Sequence, residues 1–223
     1  MSKHLAPKEE SNQARTRLIS AALRLFVEKG YEAATTREIC EAANANISQI
    51  RYYFGDKAGL YRAAYTEPLG DLPCQAHLIA MSELPLASAL ELFFNEFLQP
   101  LKLGPDLNLL MKLRFREMLE PTGAWEQEIE AEIKPQHEAL LALIQKHLKL
   151  DTLDVDAQRL AFAIIGIAVH YFVGQDVIRA ISPQIITAPG AIDVLTVRLA
   201  TYAVSMIEGE AKRRELEGAH AST

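Results

Sequence analysis

Three helix-start signals crowd the stretch TTREICEAANANISQIRYYFGDK, residues 35–57, and their spacing limits what the chain can build. Thr35 and Glu38 form an S/T-x-x-E capping box, so a helix starts at Thr36. Ile39, Ala42 and Ala43 give that helix one apolar face. It ends after roughly two turns at Asn44, a residue type that tolerates the left-handed conformation better than most. Asn46 then caps a helix over Ile47–Phe54, and Asp56 caps another that begins at Lys57. Two short helices separated by about three residues have the spacing of a helix-turn-helix. The second of them is crowded with Ser48, Gln49, Arg51, Tyr52 and Tyr53, while Ile47, Ile50 and Phe54 are its only large aliphatic or Phe anchors.

The remainder reads as helix too, because Ala, Leu, Glu and Lys dominate and β-branched alternation is nearly absent. A first helix is predicted from about Asn12 to Lys29, with the stripe Leu18, Ala21, Ala22, Leu25 and Phe26 and a stop at Gly30. A fourth runs from Lys57 to about Tyr65, and the turn-rich EPLGDLPCQ follows it. Further helices are predicted near 85–101, 106–119, 123–149 (kinked or split at Pro135), 154–180 and 190–214. The expected fold is all-α. It comprises a flexible arm over 1–12, a helix-turn-helix domain over 13–65, a helical effector-binding and dimerisation domain over 66–215, and a fraying tail over 216–223.

The 223 residues carry a net charge of −6, which argues against a simple nucleic-acid binder. The distribution softens that objection: residues 1–65 hold ten basic and seven acidic side chains, a balance of +3 that leaves −9 on the rest. The N-terminal stretch lacks the apolar segment of a signal peptide, and no run of about eighteen apolar residues marks a membrane span. Cys40 and Cys74 are the only cysteines, so a reducing cytoplasm is expected.

The segment LISAALRLFVEKGYEAATTREICEAANANISQIRYYFGDKAGLYRAA resembles the DNA-binding domain of the TetR/AcrR family of bacterial transcription regulators. The likeness lies in a helix ending F-x-x-x-G-Y, then T-T-x-x-I, a tight turn and Y-Y-F-x-x-K. Asn44 stands where the family usually has Gly, and Arg51 where it often has Tyr. Further along, REMLEPT (116–122) and IKPQHEALLALI (133–144) resemble the CecR (YbiH) type subgroup, whose members are associated with drug-export and antibiotic-sensitivity genes.

The resemblance implies a repressor that binds a double-stranded, inverted-repeat operator as a homodimer and is released by a small molecule. It places base contacts at Arg37, Ser48, Gln49, Arg51 and Tyr52. Gln suits adenine and Arg suits guanine through paired hydrogen bonds, and Ile47 can press on a thymine methyl. Thr36, Tyr53 and Lys57 are expected on phosphates, the first and last because helix N-termini attract anions. Tyr53 packing within the small domain is the alternative for that residue.

The stretch LAFAIIGIAVHYFV, 160–173, is apolar on every face apart from His170 and the Tyr171 hydroxyl, so it needs cover on all sides. A second copy of the chain is the expected cover, through Ile165, Val169, Phe172, Leu195, Leu199, Tyr202 and Met206. Candidate effector-pocket residues are Phe94, Met111, Phe115, Trp125, Phe162, His170 and Tyr171, with ordinary core packing as the alternative. No cofactor, metal site or enzyme activity is expected. Catalytic and phosphate-loop motifs are missing, and Glu126, Glu128, Glu130 and Glu132 spread around a helix as a solvated face. An activator, a regulator controlled by a protein partner, and a helical enzyme with a DNA-binding head are the competing readings.

Overall fold

The computed structural model describes residues 7–69, 83–102, 105–123, 130 and 133–221, and every regular element among them is helical. The chain divides into two compact units, residues 1–72 with 104–127, and 73–103 with 128–223.

The first unit holds α1 (Pro7–Ala33), α2 (Thr36–Ala43), α3 (Ile47–Phe54), α4 (Lys57–Thr66), a 3-10 turn (Glu67–Leu69) and a later helix, α7 (Pro105–Leu119). Its core joins Leu18, Ala22 and Phe26 of α1 to Ile39, Ile50, Leu60 and Tyr65, and α7 adds Leu110 and Leu113. α1 starts earlier than expected, because Pro fits a first helical turn where its missing N–H needs no partner. It is interrupted at Gly30, whose φ of 82° suits glycine. A β-carbon there would also lie 2.7 Å from the Arg116 guanidinium, so the absence of a side chain lets α7 approach.

The grouping of α7 with the helix-turn-helix departs from the boundary expected at 65–66. Its cause is visible at the end of α7. Arg116 donates to the Val27 carbonyl at 3.3 Å, and the fully buried Glu117 carboxylate accepts the Tyr61 hydroxyl of α4 at 2.6 Å. Glu117 also accepts the Thr122 N–H at 2.7 Å. The motif REMLEPT is therefore a docking segment of this unit.

The second unit holds α5 (Leu86–Phe97), α6 (Gln99–Lys102), α8 (Lys134–Leu148), α9 (Val155–Val173), α10 (Gln175–Ile181), α11 (Gln184–Thr187) and α12 (Ala191–Ala221). Its core collects Leu90 and Phe94 from α5, Leu140 and Ile144 from α8, Ala161, Ile164 and Phe172 from α9, and Leu199 and Ile207 from α12. Pro135 sits in the first turn of α8 and does not kink it. Gly174 separates α9 from α10, dividing what read as one helix over 154–180.

Nor does the tail fray as expected: α12 continues to Ala221. Arg214 grips Asp154, the N-cap of α9, through bonds of 2.6 and 2.9 Å, and Arg213 reaches Asp156 at 3.1 Å. The Asp154 carboxyl is held well below the usual carboxylate range by Arg214 first and by the Ala157 N–H second.

Candidate nucleic-acid interface

The helix-turn-helix is fixed by its caps. Thr35 accepts the Glu38 N–H at 3.2 Å, and Glu38 returns the contact on the Thr35 N–H at 3.1 Å. Lys29 adds a bond of 2.7 Å to the same carboxylate, which with Thr35 lowers Glu38 from its ordinary value of 4.5 to about 2. α2 closes at Asn44 with φ 49° and ψ 53°, the left-handed turn expected of it. α3 then starts on a second reciprocal box. The Gln49 N–H donates to Asn46 Oδ1 at 3.1 Å, and Gln49 Oε1 accepts the Asn46 N–H at 3.0 Å.

These caps aim one face of α3 outward. Ile50 is 2% exposed and docks the helix, with the half-buried Phe54 beside it under the Arg15 guanidinium at 5.1 Å. Ile47, Ser48, Arg51 and Tyr52 fall together on the opposite side at helical spacing, and all four are exposed. Tyr52 is 80% and Ile47 54% exposed, values that no packing role explains. The structure thus brings together four of the six expected base-contact residues.

The other two are differently placed. Gln49 lies at the edge of this face and closes the capping box, a structural duty that its place among the expected base contacts did not include. Arg37 is exposed on α2 and pairs with Glu41 at 3.1 Å, one turn along. Ser48, though exposed, donates its hydroxyl to Asn46 Oδ1.

The expected phosphate contacts are also engaged within the unit. Lys57 donates to the Glu32 carbonyl at 3.2 Å and sits 4.6 Å over the Tyr31 ring. Tyr53 is half-buried with its hydroxyl 2.9 Å from that of Ser11. Thr36 is half-buried in the first turn of α2. Sequence reasoning missed Ser11 and Tyr31, which hold Tyr53 and Lys57 from α1, and Arg15, which covers Phe54. Their roles depend on contacts up to 52 residues away, as in the Arg15–Glu67 pair at 2.5 Å, and no local spacing announces them.

Comparison with known proteins decides the family. Residues 18–64 match the family described as bacterial regulatory proteins, tetR family, and residues 86–210 match the C-terminal domain of the HTH-type transcriptional dual regulator CecR. The chain belongs to the TetR family of transcriptional regulators. The CecR dual regulator of Shigella flexneri is 33% identical over 180 residues, covering 76% of this chain and 80% of that one. Regulator BetI of Burkholderia thailandensis is 30% identical over 110 residues, 48% of this chain and 56% of that one. Among solved structures, FadR of Bacillus subtilis in complex with stearoyl-CoA superposes with TM-score 0.60 at 15% identity, over 86% of this chain and 98% of that one. The hemolysin II regulator HlyIIR superposes with TM-score 0.56 at 21% identity, over 80% and 97%. At those identities the likeness is one of fold.

In this TetR-family chain the expected effector residues are divided between the two units. Phe94 is fully buried in the core of the second unit, while Phe162 is 66% exposed, 4.5 Å from the His137 ring. Met111 and Phe115 are half-buried on α7 of the first unit, and Trp125 lies outside the described residues. His170 and Tyr171 line an open groove of about 470 Å³ along α9 and α12 with Gly166, Leu199 and Tyr202. His170 is exposed, which corrects its reading as a core histidine. Of the Glu126–Glu132 run only Glu130 is described; it is exposed and pairs with Lys134 at 3.0 Å.

The same groove lies on an uncovered apolar face. Within its own unit α9 is buried on one side alone, through Ala157, Ala161, Ile164, Ala168 and Phe172. Phe162, Ala163, Gly166, His170 and Val173 are exposed on the other, beside Val194, Val197 and Tyr202 of α12. Phe172, Leu195 and Leu199 are 2%, 5% and 1% exposed, so they pack inside the unit and offer almost no surface to a second chain. Ile165, Val169 and Met206 are half-buried, and Tyr202 is 52% exposed.

Proposed function

We propose that this regulator is a repressor that binds an inverted-repeat DNA operator as a homodimer and is released by a small-molecule effector. The observation that carries the DNA part is the outward face of α3. Ile47, Ser48, Arg51 and Tyr52 have no duty in the core, and the helix bearing them is capped at its start. Such a helix enters the major groove with its early residues at base edges. Arg51 suits guanine, and Ile47 and Tyr52 supply apolar contact. Arg37 reaches from α2, while Thr36, Tyr53 and Lys57 serve phosphates after exchanging or sharing their internal partners.

The uncovered face of α9 and α12 supports the dimer, since a closed two-fold pair would cover the same apolar stripe on both copies. Residues on its rim, Tyr202 above all, replace the buried Phe172, Leu195 and Leu199 as interface. A small molecule must bind one arrangement of the dimer better than another to release DNA. A second reading, activation of some promoters, is favoured by the dual-regulator name of the Shigella relative.

Gel-shift with the DNA upstream of the chain's own gene, with and without candidate drugs, tests the proposal. The expected outcome is a retarded band lost on adding an effector, and a footprint with dyad symmetry. A footprint without dyad symmetry refutes the dimeric reading. A promoter whose transcription rises on binding favours activation.

A further inference from the structure

The two capping boxes of the helix-turn-helix share a geometry and differ in charge. The box on α2 is closed by a carboxylate, Glu38, and the box on α3 by an amide, Gln49. A carboxylate in a first helical turn gains from the helix dipole, so Gln49 forgoes stabilisation that Glu38 takes. The difference makes sense where each helix faces. Glu38 is matched by Lys29, whereas α3 carries the exposed Ser48, Arg51 and Tyr52, where a negative group would meet a polyanion.

The box also fixes which atoms of Gln49 remain for reading. A backbone N–H requires an acceptor, so the atom 3.0 Å from the Asn46 N–H is the carbonyl oxygen and not the amide nitrogen. The paired contact of Gln to adenine needs Oε1 and Nε2 together on one base edge. With Oε1 turned to its own helix start, one of its two lone pairs is used there, and the two hydrogens on Nε2 are the groups left free to point at a base.

We propose that the Asn46–Gln49 box sets the polarity of base reading, so that Gln49 acts as a hydrogen-bond donor alone and discriminates against cytosine at the base it meets. Guanine, thymine and adenine N7 offer acceptors there, and cytosine alone offers only a donor, which clashes. The paired adenine contact expected from residue type, which needs Oε1 and Nε2 together on one base edge, is given up while the box is closed. The inference rests on α3 reading the major groove and deepens that reading by giving the class of base recognised.

The test is selection from randomised duplex DNA by the full-length chain, run with wild type, Gln49→Glu and Gln49→Ala, alongside melting of each protein. Glu closes the same box, as Glu38 does, so Gln49→Glu should melt like the wild type. Its second carboxylate oxygen should accept from the cytosine amino group and move one position per half-site towards cytosine, by about tenfold. The Ala variant should lose preference at that same position. If Gln49→Glu weakens binding to all sequences alike with an unchanged preference, Gln49 is a cap only and the inference fails while the DNA reading stands. A cytosine selected by the wild type at the affected position also overturns it. If the wild type enriches no sequence, the DNA reading itself fails and takes the inference with it.

Discussion

Tyr61→Phe removes one oxygen atom from the buried junction that ties α7 to the helix-turn-helix. The Tyr61 hydroxyl donates to Glu117 Oε2 at 2.6 Å, and Glu117 has no exposed surface. Burial and the carboxylate push the Tyr61 hydroxyl far above its ordinary range, so it stays protonated and acts as the donor. The ring itself packs edge-on against Phe26 at 4.8 Å and Tyr31 at 5.0 Å, and a Phe ring keeps both contacts. The substitution therefore isolates the hydrogen bond. A bond to a charged group contributes about 1.5–3 kcal/mol, and partners that remain on the carboxylate keep the loss below the upper end. Glu117 retains only the Thr122 N–H and hydroxyl among its described partners. The expected loss is about 2 kcal/mol, read from urea unfolding followed by circular dichroism. In a unit of this size about 1 kcal/mol moves a thermal midpoint by 4–8 °C, so the same variant should melt visibly earlier. Tyr52→Phe, at a site 80% exposed, is the control and should leave stability unchanged. A loss under about 0.5 kcal/mol for Tyr61→Phe would refute the reasoning, because it would mean that Thr122 alone satisfies the carboxylate.

Asn44→Ala should destabilise the fold by about 1 kcal/mol, since φ 49° costs a β-branchless L-residue without a local polar side chain that much; Asn44→Gly should not, by the same unfolding assay. Stability should depend on pH through Glu38. Its folded value of about 2 lies below the ordinary 4.5, so its contribution is present above 4.5 and is lost as pH falls towards 2. The gap in melting midpoint between wild type and Glu38→Gln should accordingly close over that acid range. Lys57→Ala should weaken binding to all DNA sequences alike and reduce the salt slope by about one, whereas Arg51→Ala should cost about 1–3 kcal/mol against the preferred site only, both read from binding isotherms. Tyr202→Asp, on the open face of α12, should yield monomer in sedimentation at micromolar concentration with an unchanged circular dichroism spectrum.

Features set by neighbours in sequence were legible in advance. The Thr35 and Asp56 caps, the left-handed Asn44 and the start of α3 all rest on contacts within three or four residues, and each stands where the residue types place it. Features set by distant partners were not. The residue types predicted a helix near 106–119 but could not say which core it joins, and that depends on Glu117 finding Tyr61 56 residues away. Composition made α9 apolar all round without saying which side its own unit covers. Residue type is equally silent on surroundings: Phe94 and Phe162 are one residue type, yet one is fully buried and the other 66% exposed.

The balance of +3 over residues 1–65 overstates the positive field this chain can turn towards DNA. Arg15 is paired with Glu67, Lys29 with Glu38 and Arg37 with Glu41, and Lys57 is seated on Tyr31. Among the described residues Arg51 has no side-chain partner, and it stands on the reading face. Counterion release scales with the number of phosphates neutralised, so charges already paired add little to it. Affinity must then come disproportionately from contacts at base edges, where Arg51 departs from the Tyr common in the resemblance. Arg51 is thus, among the described residues, a candidate base-contact cation that no acidic side chain neutralises, whereas Arg37 is paired with Glu41.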